Sequence, residues 1–305
     1  MAELRVLLFG GDGQVGWELR RALAPLGEVS APGRDAADGL CGDITEFEAL
    51  ATTVRRVRPD VIVNAAAWTD VDGAEREPAR ARCVNAEAPG LLARCAADSG
   101  AWLVHYSTDY VFDGRGDRPW CETDTPAPLN VYGTTKLAGE EAIRAAGCPH
   151  LILRTGWVYA ARRTNFLRTI LRLARERDEL RVIDDQIGAP TGAELIADVT
   201  ARILGAHPVD QDPGGTYHVS AAGATSWHGY ARLIVETAQT QGWPIRLIPE
   251  RIEPVSTEAY GQTVPRPRNS RLDCTRVGQA CGVRMPGWGE GVVRAVREVG
   301  DWVIR

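Results

Sequence analysis

Tyr132 and Lys136 stand four residues apart in Tyr132-Gly133-Thr134-Thr135-Lys136. On a helix, that spacing puts both side chains on one face, about a turn apart. An ammonium beside a phenol favours the phenolate and lowers the tyrosine pKa. A tyrosine tuned in this way can donate a proton to a carbonyl oxygen while hydride reaches the carbon. The lysine carries a second signal, because it is the only lysine among 35 basic residues. Arginine serves everywhere else, yet its planar fork does not replace a compact ammonium. The plainer reading is a chance pair in which one lysine happened to remain.

Such a pair needs a hydroxyl near the substrate carbonyl. Val104-His105-Tyr106-Ser107-Thr108-Asp109-Tyr110-Val111-Phe112 offers two, Ser107 and Thr108, at the end of an apolar run that reads as a strand. Ligands of open α/β sheets bind at the carboxyl ends of strands. Strand alternation points Ser107 and Thr108 to opposite faces, and the pattern alone does not choose between them.

A hydride donor must lie close by. Gly10-Gly11-Asp12-Gly13-Gln14-Val15-Gly16 follows the buried run Leu4–Phe9 and precedes a helical pattern reaching Leu23. Glycines there allow a tight turn and close approach of backbone to a pyrophosphate, and the helix N-terminus faces it with unpaired N–H groups. Alone the motif is weak; between a first strand and a first helix it predicts a dinucleotide site. The second strand ends near Val29–Arg34, where a carboxylate would mark NAD. Arg34 instead suits the 2′-phosphate of NADP, or is a solvated loop arginine. Cofactor choice stays open between NADPH and NADH, leaning to NADPH. Asp43 and Ile44 fall where a loop brackets an adenine, and Asn64-Ala65-Ala66-Ala67 gives a flat strand end beneath a cofactor.

These groups need a frame. Apolar runs at 61–63, 102–104, 151–153 and 181–183 each follow a helical stretch, near 46–57, 85–98, 134–146 and 165–177. Strands alternating with helices predict an α/β fold with a Rossmann-type doubly wound parallel sheet. Residues 1–155 read as the NAD(P)-binding domain, with about 180–200 returning to it. Residues 156–180 and 201–305 read mainly as a smaller C-terminal substrate-binding lobe. Pro and Gly gather at 208–215 and 244–267, and the clear helices there lie near 226–241 and 288–299.

Composition narrows the classes. Net charge is −5 with no dense basic run, which excludes nucleic-acid binding by phosphate neutralisation. No apolar stretch approaches the roughly 18 residues of a membrane span, and the first run meets glycines instead of a signal cleavage site. Seven cysteines without C-x-x-C spacing and five scattered histidines favour reduced thiols over disulfides or zinc, and a cytoplasmic protein.

The glycine motif, the Ser107-Thr108 strand end and Tyr132-x-x-x-Lys136 together resemble the extended short-chain dehydrogenases/reductases. More specifically, Gly13-Gln14-Val15-Gly16-Trp17-Glu18-Leu19, Val63–Ala67, Arg154-Thr155-Gly156-Trp157-Val158-Tyr159, Asp185–Thr191 and Arg266–Leu272 resemble the dTDP-4-dehydrorhamnose reductase family. The resemblance implies reduction of the C4 keto group of dTDP-4-dehydro-L-rhamnose by NAD(P)H, for bacterial surface polysaccharide. It implies Thr108 as the hydroxyl, Tyr132 as proton donor and Lys136 as its tuner. Gly10, Gly13, Gln14, Val15, Asp43, Ile44, Ala67, Trp68, Thr69, Tyr106 and Lys136 are implied at the cofactor. Thr108, Asp109, Tyr132 and Trp157 are implied at the dTDP-sugar. A homodimer around Mg²⁺ held by Glu18, Glu194 and Glu298 is implied too, although solvated helix carboxylates are the plainer reading of those three. Trp68 and Gly156 depart from the family wording, which has His or a similar residue, and Ser. Two alternatives share the fold. A sugar-nucleotide dehydratase or epimerase is one, but dehydration needs an acid after Thr108-Asp109 and the chain has Tyr110 there. A non-catalytic regulatory relative is the other, and it has no use for a tuned tyrosine.

Overall fold

The computed structural model describes residues 3–35, 39–206 and 214–303, with side chains to residue 300. At its centre lie six strands: β1 (Leu4–Phe9), β2 (Gly27–Ser30), β3 (Val61–Asn64), β4 (Trp102–Thr108), β5 (His150–Thr155) and β6 (Gly215–His218). They run in the order β6-β5-β4-β3-β1-β2, and every neighbouring pair is parallel. The order turns back between β1 and β3, which opens a crevice above their carboxyl ends.

Helices cover both faces because the strands are apolar on both. Val6 and Leu8 of β1 face a core shared with Leu19, Val104, Ile196 and Ile203. Leu7 and Phe9 face the opposite core, with Leu50, Ile62, Leu92 and Ile152. Each of these fully buried side chains of β1 contributes about 1.5–3 kcal/mol. On the first face α1 (Gln14–Leu23) packs against the helix Ala193–Ala206. On the other, the helix Ala88–Ser99 packs against the helix Val131–Ala146, which carries Tyr132 and Lys136. The helix Ala193–Ala206 thus lies against the central sheet.

One expected strand goes elsewhere. Leu180–Ile183 is extended, but it pairs in parallel with Ile252–Val255 and takes no place in the central sheet. The sixth place belongs to β6, Gly215-Thr216-Tyr217-His218, whose mixed polar character hid it. Leu180 and Val182 instead face a second core built from Tyr159, Leu171, Tyr230, Ile234, Trp243 and Val296. The helices Phe166–Glu176, Trp227–Thr240 and Trp288–Val303 enclose that core. Most of the Pro/Gly cluster at 208–215 lies outside the described residues.

Candidate active site

Asn130 starts the helix that carries Tyr132 and Lys136. Its side-chain oxygen accepts the Gly133 N–H at 2.8 Å, the geometry of an N-cap. Gly133 lets that first turn lie against the strand end, since a Cβ there would sit 2.2 Å from the Tyr110 carbonyl oxygen. Tyr132 is thereby held beside the end of β4. Its ring packs edge-on against Tyr110, centroids 5.5 Å apart, and its phenol faces the Thr108 hydroxyl.

Alternation separates the two hydroxyls at the strand end. Ser107 points away and donates to the Glu140 carboxylate at 2.6 Å, and Arg154 holds the same carboxylate from β5 at 2.6–2.8 Å. Thr108 faces the cleft. Its hydroxyl donates to Asp109 at 3.0 Å and accepts the Tyr110 N–H at 3.1 Å.

Lys136 is fully buried. Its amino nitrogen lies 2.5 Å from the Tyr106 carbonyl oxygen and 3.1 Å from His105 Nε2. Burial pushes it down to about 8, against the pull of Glu140 one turn on. The expected lowering of the tyrosine is absent: burial pushes Tyr132 up to about 12, the Thr108 hydroxyl opposes this and Asp109 adds to it. Desolvation outweighs the neighbours here. Asp109 follows the same rule and is pushed up to about 6, with bonds from Ser270 and Thr108 holding it lower than burial alone would. One of its carboxylate oxygens is buried without a partner.

The glycine turn leads into α1 as expected. Gly10 takes a φ of +76°, and a Cβ on it would meet the Ala66 nitrogen at 2.5 Å. A Cβ on Gly16 would lie 2.0 Å from the Gly10 oxygen. Gly13 caps α1 with no side-chain bond, and the first turn holds no acid. The leading N–H groups, Gln14 and Val15 among them, are therefore available to a pyrophosphate. This cradle fits a dinucleotide. Arg34 is 86% exposed at the far end of the crevice, 3.9 Å from Asp43, so its guanidinium is open to a phosphate. Asp43 also orders its own loop by accepting from Thr45, and Ile44 is buried against the sheet. Ala67, Trp68 and Thr69 follow β3. Their loop is tied down by Asn85, whose amide accepts the Trp68 N–H at 2.9 Å and donates to Thr135 at 3.2 Å. Tyr106 differs from the rest, because its ring is buried and its hydroxyl meets Thr200 at 2.8 Å. It reaches the site only through its carbonyl.

Trp157 adopts a φ of +50° and stacks on Trp227, rings 3.6 Å apart and 8° from parallel. Gly188 packs against the same indole, where a Cβ would approach to 2.5 Å. Trp227, Tyr110, Gln186 and Arg266 line a cavity of about 1380 Å³ that lies toward the second core. Gly156 has a local reason: a Cβ there would fall 2.7 Å from the Asp109 carboxyl carbon.

The three glutamates do not assemble a metal site within one chain. Arg294 holds Glu194 at 2.6 Å and Arg21 holds Glu18 at 3.4 Å. Glu298 is exposed. Among the described residues no group of three or more His, Cys, Asp or Glu side chains is placed to hold a metal ion. All seven cysteines are free.

Sequence reasoning missed the residues that support these groups: Asn64, Asn85, His105, Asn130, and Asn165, which donates to Gln14 at 2.7 Å. Asn130 and Asn165, each an Asn just before a helix, left a readable signal.

A parallel sheet with a glycine cradle at its switch point and a Thr–Tyr–Lys cluster one strand away defines an NAD(P)-dependent reductase of the extended short-chain dehydrogenase/reductase class. Comparison with known proteins narrows this. The family model for the RmlD substrate binding domain matches residues 4–300. The chain is 51% identical to dTDP-4-dehydrorhamnose reductase of Escherichia coli K12, covering 97% of this chain and 98% of that one. It is 45% identical to the enzyme of that name from Burkholderia thailandensis, covering 97% and 99%. A crystal structure of dTDP-4-dehydrorhamnose reductase from Bacillus anthracis in complex with NADP superposes with a TM-score of 0.86 at 32% identity, covering 97% and 99%. The chain belongs to the dTDP-4-dehydrorhamnose reductase family.

Proposed function

We propose that this protein reduces the C4 keto group of dTDP-4-dehydro-L-rhamnose, giving dTDP-L-rhamnose, with hydride from NADPH or NADH. The observation that carries the reading is the meeting of Thr108 and Tyr132 at the carboxyl end of β4, with Lys136 a turn further on. The bound nicotinamide supplies hydride to C4. Tyr132 donates its phenolic proton to the sugar O4 as the negative charge develops there. Its high pKa keeps that proton in place until the oxygen needs it. Thr108 orients the phenol and, by turning its hydroxyl proton from Asp109, offers a second hydrogen bond to the same oxygen. Lys136 holds positive charge beneath the pair and would bond a ribose hydroxyl of the cofactor. Gly10, Gly13, Gln14 and Val15 bind the pyrophosphate, and Asp43, Ile44 and the Ala67–Thr69 loop flank the remainder of the cofactor. Arg34 takes the 2′-phosphate, which favours NADPH. Asp109 and Trp157 face the sugar nucleotide, whose bulk the neighbouring cavity accommodates.

The proposal extends to a cytoplasmic homodimer. No helix among the described residues is long and apolar enough to cross a membrane. Mg²⁺ at Glu194 requires Arg294 to let go of that carboxylate, and sedimentation with and without Mg²⁺ tests both points.

The function is tested by loss of absorbance at 340 nm with purified protein, either cofactor and enzymatically generated dTDP-4-dehydro-L-rhamnose. Turnover that disappears in Tyr132→Phe supports reaction class and proton donor together. Cofactor binding without turnover moves the reading to another keto sugar or to a regulatory protein.

A further inference from the structure

Behind Lys136 lies a buried polar chain that the reaction does not explain. His105 and Asn64 are 0% and 1% exposed and stand in register on neighbouring strands β4 and β3 of the parallel sheet. The imidazole Nε2 lies 3.1 Å from Lys136 Nζ, and Nδ1 lies 3.3 Å from the Asn64 amide nitrogen. The Asn64 oxygen accepts the Ala66 N–H at 3.2 Å, at the bend that packs on Gly10 of the cofactor cradle. Polar groups this deep cost several kcal/mol unless their bonds are complete.

Two arrangements satisfy the imidazole. An amide NH₂ only donates, so in the orientation seen Nδ1 accepts and the ring proton sits on Nε2, facing Nζ. An ammonium has no lone pair to receive it, so this arrangement suits the neutral amine. With the amide turned over, Oδ1 accepts from an Nδ1–H and Nε2 accepts from the ammonium, and the Ala66 N–H gives up its side-chain acceptor. In both cases the imidazole is neutral. An imidazolium would set two positive charges 3.1 Å apart in a dry site, and burial followed by Lys136 holds His105 well below its ordinary range.

We propose that His105 is the positioning residue for Lys136, and that its tautomer follows the proton on that lysine while Asn64 turns its amide to match. This deepens the function proposed above by linking the bend under the cofactor cradle to the charge beneath the catalytic tyrosine. Other groups face the pair from neighbouring elements. On the helix these are Tyr132, pushed up to about 12, and Glu140, neutralised by Arg154 of β5 and by Arg144. At the end of β4 it is Asp109, pushed up to about 6. None of these changes charge between pH 7 and 10, the window in which Lys136 does, with its pKa near 8.

The test needs no substrate, so it fails or succeeds independently of the reaction. Protein labelled with ¹⁵N in histidine is titrated from pH 7 to 10, and two-bond N–H correlations report which ring nitrogen of His105 carries the proton. The expected result is an Nδ1–H tautomer giving way to Nε2–H with a midpoint near 8, absent in Lys136→Met. One tautomer throughout, an imidazolium, or a transition that survives Lys136→Met overturns the proposal. In the reductase assay, His105→Gln supplies an amide free of ring tautomers. It should move the alkaline limb of kcat by about half a pH unit or more, with KM for NADPH within about threefold. An unmoved limb in a folded variant counts against the idea as well.

Discussion

Asp109 occupies the space that a side chain at position 156 would need. The Asp109 carboxyl carbon lies 2.7 Å from where a Cβ on Gly156 would stand, closer than any carbon contact allows. The place of Asp109, proposed above to face the sugar nucleotide, is therefore set by the absence of a side chain just beyond the adjoining strand. Gly156→Ala should force that carboxylate to move, at a cost of about 1–3 kcal/mol from overpacking. Urea denaturation measures the cost, and an unchanged midpoint with unchanged m means that Asp109 rotates away freely.

Asp109 also predicts a pH dependence. Its pKa is about 6 in the fold against 3.8 ordinarily, so between those values the folded protein holds the extra proton. Stability then falls as pH rises from about 4 to 6 and stays lowered above that, by about 3 kcal/mol. Asp109→Asn should melt higher than the parent at pH 7.5, and the difference should shrink toward pH 4. A constant difference across that range would mean the carboxyl is not neutral in the fold.

Tyr132→Phe removes the hydroxyl and keeps the ring packed against Tyr110. A loss in kcat on the order of 10²-fold or more is expected, with NADPH binding intact by fluorescence titration. Lys136→Arg should be severely impaired as well, because a guanidinium exceeds the space between the Tyr106 carbonyl and His105. Full activity in Lys136→Arg would mean the solitary lysine is an accident of composition.

Arg34→Ala should raise KM for NADPH about tenfold or more and leave NADH nearly unchanged, since only one cofactor carries the phosphate. Equal effects on both cofactors would assign Arg34 to ordering the Asp43 loop instead.

The sheet, the glycine cradle and the Tyr–Lys pair were legible because each is a local pattern: apolar runs, glycines at fixed spacing, four residues on one helix face. Which of Ser107 and Thr108 faces Tyr132 was not. That choice depends on Glu140 and Arg154 waiting on the other face of β4, which no window around Ser107 contains. The same limit hid β6. Thr216-Tyr217-His218 has no apolar run of its own and becomes a strand because β5 offers a free edge, whereas 181–183, with the better pattern, pairs with a segment about seventy residues later. The tyrosine shift was misjudged for a related reason. Helix spacing reveals the lysine, but the burial that outweighs it comes from the rest of the fold.

The late arrival of β6 bears on how the chain is made. Emerging from the ribosome, the polypeptide can pair β1 to β5 once residue 155 is out, yet the outer side of β5 has no strand beside it until residues 215–218 follow. Helix Thr275–Cys281, which packs on β6, comes later still. During that interval the nascent protein carries an open strand edge next to its catalytic helix, the kind of surface that recruits other strands. Premature termination or stalling before residue 215 should thus yield aggregate instead of a smaller cofactor-binding protein.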